Sequence, residues 1–368
     1  MTEGPAAEDA APTADRRATY GGRVGAADGF VEAMVASPLG VTLLAVLESR
    51  TRHPEGFALS LETSPAAVAS AVEMVEMMSF GAFADLAVLT GAFYVGPWIS
   101  DAPSTAASAY QHAAARLPIA EAVAQRFADE LHAPLDHTAQ QWWTDGSPGI
   151  DALAPLFDRF DDVYAAGEFT WAGLWTATDP PPEALVQMVV AWELETGPIT
   201  RWWLPVRPEA HVYEIHRPAD WARLVTTHPR QASPHPGWEL PGINQHQRHL
   251  SPLLAAIDQR AARASVRRHV VPQWRSVAGQ YDGIHLSWAG FITAEGCIVD
   301  LGGGDVAMLR YWFSERTLWL ADVFTEPRRA PNPQMNLSSG NQHHPPLPTR
   351  IAVNRELILR LLGRRHAS

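Results

Sequence analysis

The hydrophobic period of the chain changes once, near Pro198, and that change constrains the fold more than any other feature. Ahead of it, apolar residues recur at three- and four-residue steps in Ala-rich segments, the pattern of amphipathic helices. Behind it come short runs rich in Val, Ile, Trp, Tyr and Phe, bounded by Gly or Pro, which read as strands. A 368-residue chain with this switch is expected to be α+β, with an acidic all-α N-terminal domain over 24–197. A mixed or antiparallel sheet domain, with helices on one face, is expected over 198–326. Residues 1–23 read as a disordered leader, 327–349 as a Pro-rich tether and 350–368 as a basic amphipathic helix.

Local signals place the elements. Ser37-Pro38 and Ser64-Pro65 each set a capping hydroxyl before a proline at the first helical position, so helices should start there. Further helices are expected over 104–116, 118–132, 151–164 and 183–195, with a buried one within 83–98. In the second half, strands are expected over 199–206, 212–216, 283–294, 306–313 and 316–324. Helices are expected over 218–227, 251–268 and 271–280. The glycine run Gly302-Gly303-Gly304 lacks phosphate-loop spacing and precedes a strand, so it reads as a hairpin turn.

All 28 basic residues are arginine, which excludes lysine Schiff-base chemistry and the phosphate-binding lysines of kinases and P-loop enzymes. Residues 1–200 hold 27 acids against 8 arginines, a net −19, and 201–368 hold 13 against 20, a net +7. That asymmetry fits either two domains docking by charge or a basic half that grips an anion through arginine. Double-stranded nucleic acid is not expected as a partner, since the acidic half would repel it. A single cysteine, Cys297, allows no intrachain disulfide, and its apolar neighbours read as those of a structural thiol. Without a secretory signal or a transmembrane run, the expectation is a cytoplasmic protein.

The densest polar group lies on the expected sheet. A period of two puts Glu214 and His216 on one face of their strand, and His285 and Ser287 on one face of theirs. Were the strands neighbours, two imidazoles, a carboxylate and a hydroxyl would converge, an inventory for acid–base or nucleophilic work. The plainer reading is the wet face of a half-buried sheet. On the catalytic reading His285 is the expected general base, Glu214 or His216 its partner, and Ser287 the hydroxyl. Arg310 and Arg316, with Glu315 near a turn and Trp288 and Trp312 as rings, are the expected anion clamp and ligand-binding set. Most of the 14 tryptophans should be core. No metal site is expected: His246 and His249 lack further ligands at defined geometry. The Asp158, Asp161 and Asp162 group resembles the aspartate-rich magnesium helix of terpene cyclases over one helix only, and a solvated charged face is the plainer reading. No cofactor is identified.

The strings Tyr213-Glu214-Ile215-His216-Arg217-Pro218-Ala219-Asp220-Trp221 and Tyr281-Asp282-Gly283-Ile284-His285-Leu286-Ser287-Trp288-Ala289-Gly290-Phe291 resemble segments of actinomycete proteins with no assigned activity. That resemblance implies no catalytic residue. From the residues, the expected function is binding of an anionic small molecule in a Trp- and Arg-lined cleft, with acid–base catalysis. The alternatives are an interaction protein using helix 350–368 and a nicotinamide-dinucleotide-consuming transferase.

Overall fold

A computed structural model describes residues 26–53, 59, 61–92, 102–145, 173–188, 199–231, 268–310 and 312–330. The expected leader, the 151–164 and 251–268 helices (but for Arg268), His246 and His249, all but the start of the tether, and the C-terminal helix lie outside these residues.

The helical part runs from α1 (Ala26–Ala36) and α2 (Pro38–Arg52) through α3 (Pro65–Met77), α4 (Phe80–Thr90) and α5 (Ala102–Tyr110) to α6 (Leu117–Arg126) and the short α7 (Ala128–Leu131). Serine caps start three of them: Gly40 N donates to Ser37 Oγ at 3.0 Å, Ala67 N to Ser64 Oγ at 3.2 Å and Ala82 N to Ser79 Oγ at 3.3 Å. Each cap satisfies a backbone donor that the first helical turn leaves open. The helices are held centrally by a fully buried ion pair, Arg116 Nε to Glu48 Oε2 at 2.7 Å. Arg116 also donates to the carbonyls of Ala109 and Leu61, so the buried charge is not stranded. Among the described residues no single helix is long and apolar enough to cross a membrane, and the α1–α2 pair that passes together is bent by 88°.

A seven-stranded mixed sheet follows, in the order β11-β3-β1-β2-β10-β7-β4. Its strands are β1 (Gln140–Asp145), β2 (Leu174–Thr178), β3 (Ile199–Trp203), β4 (Val212–Ile215), β7 (Gly283–Leu286), β10 (Arg316–Trp319) and β11 (Arg328–Arg329). Among its described strands, β4 and β7 pair in parallel and the other neighbours antiparallel. A second sheet, ordered β5-β6-β9-β8, is built from β5 (Pro229–Gln231), β6 (Arg268–Pro272), β8 (Ile298–Gly302) and β9 (Asp305–Met308). Short helices α8 (Glu183–Met188), α9 (Pro218–Thr227), α10 (Trp274–Ala278) and α11 (Trp288–Ala294) connect them.

The α+β class holds, with differences of detail. β1 and β2 come from the stretch expected to be helical, and they sit mid-sheet between β3 and β10. The helical part therefore gives way to strand at Gln140 rather than at 198. The expected strand over 283–294 stops at Leu286, because Ser287 caps α11 by accepting from Gly290 N at 3.2 Å. The expected helix over 271–280 starts only at Trp274, after β6 has taken up Val271 and Pro272. The glycine hairpin stands: Gly302, Gly303 and Gly304 have φ of 90°, 65° and 90° between β8 and β9. Those values suit residues without a Cβ.

Alternate residues of the large sheet face different surroundings. Trp143, Trp175, Ala177, Ile215, Ile284, Leu286 and Leu318 share one buried cluster with the helices. Trp142, Leu174 and Trp319 face the other way, into a smaller cluster with Leu135, Leu204, Val206 and Val323.

Candidate functional site

Parallel pairing of β4 with β7 sets Glu214 directly opposite His285, and antiparallel pairing of β10 with β7 sets Thr317 opposite His285 on the other side. The strands expected to be neighbours are neighbours. α11 is pulled tightly onto the end of β4, where a Cβ on Gly290 would lie 2.1 Å from the Ile215 carbonyl oxygen. That close approach fixes Ser287 beside His216.

The centre of the site is a carboxylate–imidazole–carboxylate bridge. His285 Nδ1 lies 2.5 Å from Glu214 Oε2, and His285 Nε2 lies 3.1 Å from Glu315 Oε1. Both ring nitrogens face carboxylate oxygens, the arrangement that suits a doubly protonated ring. Burial by itself would lower the His285 pKa, but the hydrogen bonds and charges of Glu214 and Glu315 outweigh it and hold it up at about 9. Burial likewise opposes ionisation of Glu214, yet its bond to His285, the backbone N–H of Leu135 and the nearby His216 keep its carboxyl below the usual range.

Glu315 is anchored from behind: Thr178 Oγ1 donates to Oε1 at 2.8 Å and Thr178 N to Oε2 at 3.2 Å. Gln140 Nε2 donates to Thr178 Oγ1 at 3.2 Å and to the Asp136 carbonyl at 3.1 Å, while Thr176 Oγ1 donates to Gln140 Oε1. A hydrogen-bonded ladder thus runs across the strands β1, β2, β10, β7 and β4. Two residues before Glu315, Phe313 holds a left-handed φ of 63°. Such a conformation is unfavourable for a bulky side chain and persists where the surroundings require it.

The ladder opens at one end. The side chains of His285 and Glu315 are 2 % and 5 % exposed, whereas Glu214 is 27 % and His216 32 % exposed. His216 Nδ1 lies 2.9 Å from Ser287 Oγ, and its Nε2 stands 4.0 Å from Glu214 Oε2. The ring of His132 lies 6.2 Å from that of His216, and burial, then the nearby His216, lowers its pKa. Asp220 accepts from the backbone N of His216 at 3.1 Å and ties Arg217 and Arg223 beside the mouth.

The structure therefore brings together His285, Glu214, His216 and Ser287, but redistributes the expected roles. His285 has no free nitrogen with which to abstract a proton, so the base with access to solvent is Glu214. Ser287 is 1 % exposed and serves as a helix cap, which leaves it poorly placed as a nucleophile. The expected anion clamp is not assembled here. Arg316 alternates with Glu315 and Thr317, so it points to the opposite face, with its guanidinium 5.4 Å from the Trp175 ring centre. Trp312 packs edge-on against Trp175 at 4.8 Å, on that same side. Trp288 packs edge-on against Phe80 and Phe291 in the helical core. Arg310 lies near His269 in the second sheet, and burial, then the Arg310 charge, pushes that imidazole down to about 3. Cys297 is partly buried, with its thiol pushed up to about 12 by burial.

Sequence reasoning missed Glu315, Thr178, Gln140 and His132 as members of the site. Glu315 sits two residues before Thr317, and the period of two would have placed it on the ladder face had the strand been extended backward. Among the described residues no group of three or more His, Cys, Asp or Glu is arranged to hold a metal ion. Comparison with protein-family models, with curated proteins and with solved structures gives no match for this chain.

Proposed function

We propose that the chain is a cytoplasmic acid–base catalyst acting on a small neutral or cationic polar molecule at the mouth formed by Glu214, His216 and His132. The observation that carries this reading is the His285 imidazolium held between Glu214 and Glu315. A buried cation at one carboxylate oxygen keeps Glu214 ionised and fixes its orientation, while its exposed edge is left to meet a ligand. His216, with Nδ1 oriented by Ser287, presents Nε2 across a 4.0 Å gap to the same carboxylate. A ligand proton taken by Glu214 can be returned by His216, or the reverse. Two carboxylates around one imidazolium leave the bridge with net negative charge, which favours a neutral or cationic ligand over the anion expected from composition.

A thermal-shift screen of amines, nucleosides, sugars and organic anions against the full chain tests the proposal. A ligand at 100 times its dissociation constant adds about 2.7 kcal/mol, a readily measured rise in melting temperature. The expected hits are neutral or cationic, and their shifts disappear in Glu214→Gln and His216→Ala while circular dichroism shows both variants folded. Hits confined to anions, or shifts that survive both substitutions, would overturn it. The interaction-protein alternative rests on residues 350–368, outside the described residues, and no observation at the site favours the dinucleotide-consuming one.

A further inference from the structure

On the face of the large sheet opposite the His285 ladder, strands β1 and β3 bring together polar atoms that have no hydrogen-bond partner among the described residues. Gln141 pairs in register with Trp203, and Trp143 with Arg201, so all four side chains share one face. Gln141 is fully buried, and neither its Nε2 nor its Oε1 has a hydrogen-bond partner. The same holds for Trp143 Nε1, Trp203 Nε1 and Arg201 Nε, each of them buried. The Arg201 guanidinium lies 5.9 Å from the Trp203 ring centre, a cation held on an aromatic face. On the neighbouring strand, Ala177 stands opposite Gln141, fully buried in the core cluster that also holds Trp143.

A buried donor without an acceptor is costly, and native proteins rarely leave one unexplained. Here such groups converge on one patch, and four of the five unpartnered atoms are donors. The complement of that set is an acceptor-rich guest. An oxyanion offers several lone pairs to converging N–H groups and is attracted by a guanidinium. Flat indole walls add a surface for an aromatic or apolar portion.

We infer that Gln141, Trp143, Arg201 and Trp203 form a binding site for a small organic oxyanion, on the opposite side of the sheet from the acid–base mouth. The inference is independent of the proposed catalytic reading. The site shares no residue with the expected anion clamp of Arg310, Arg316, Trp288 and Trp312.

Indole ¹⁵N NMR of the full chain tests it, with the Nε1–H resonances of Trp143 and Trp203 assigned by Trp→Phe variants. The probes are benzoate and, separately, inorganic phosphate. Both resonances should move on titration with at least one probe, and Arg201→Met and Gln141→Leu should each weaken that binding about tenfold. Response to benzoate alone would mark an organic carboxylate as the guest chemistry, and response to phosphate would mark a phosphate. If neither probe moves either resonance, or if binding is undiminished in Arg201→Met, the inference fails. Should Gln141→Leu not fold, Arg201→Met carries the test alone, since that side chain lies partly at the surface.

Discussion

Two glutamines sit side by side in β1 and meet opposite circumstances. Gln140 points into the ladder face, where it donates to the Asp136 carbonyl and to Thr178 and accepts from Thr176. Gln141 points to the other face, equally buried, and none of its amide groups is paired. Burial is the same for both, so what differs between the two glutamines is satisfaction. The charges of the bridge on the Gln140 face each have a partner of opposite sign, although the Thr144 and Thr317 hydroxyls on that face are unpartnered among the described residues as well. A satisfied network fixes geometry at little net gain in stability, whereas an unsatisfied group is a standing cost that a ligand can remove.

The largest expected effect comes from breaking the satisfied side. His285→Leu leaves two carboxylates facing each other without their shared cation and should cost about 3–5 kcal/mol in urea denaturation. A loss below about 1 kcal/mol would mean that the bridge is far more solvated than its geometry implies.

Titration sharpens the same point. The His285 pKa is about 9 in the folded chain against an ordinary 6.5. A raised folded pKa contributes stability that is fully present below the unfolded value and is lost as pH rises through the folded one. Stability should therefore fall between about pH 6.5 and 9, by an amount on the order of 3 kcal/mol. The lowered pKa values of His132, His269 and Glu214 act at more acidic pH and the raised ones of Cys297 and Tyr213 at more alkaline pH, so among the described residues with shifted pKa values this window belongs to His285. Denaturation curves of His285→Asn across it should be nearly flat, and a slope as steep as that of the parent chain would assign the effect elsewhere.

The smallest effect separates the two glutamines themselves. Gln140→Leu removes a donor to Thr178 and the acceptor of the Thr176 hydroxyl and should cost about 1–3 kcal/mol, whereas Gln141→Leu removes an unpaired amide and should be neutral or stabilising by up to about 1 kcal/mol. Equal losses at both positions, measured by thermal melts without added ligand, would erase the distinction between them.

Much of the local structure was legible in the chain. The Ser-Pro signals at 37–38 and 64–65 gave helix starts that the structure keeps, because a cap is a contact between residues three apart. The Pro218 helix runs to Thr227 as the pattern implies. Setting Glu214 beside His216 needed only the period of two, whereas Ser287 reaches His216 from the cap of α11, past the end of its strand. By contrast, β1 and β2 carry tryptophan, glutamine and threonine within a largely helical half, and only their pairing with β3 and β10 makes them strands. Strand preference in such segments reflects the neighbours more than the residues.

The sequence by itself determined the α+β class, the helix caps, the glycine hairpin and which residues share a face within one strand, since all of these depend on short-range geometry. Tertiary structure alone decided that Glu315 turns toward His285 while Arg316 turns away. It also decided that His285 is a shared cation rather than a free base, and that Gln140 is satisfied where Gln141 is not. The reason is that charge state and hydrogen-bond satisfaction are set by which strands lie beside which, and that order joins residues more than 130 positions apart, as between Thr178 and Glu315.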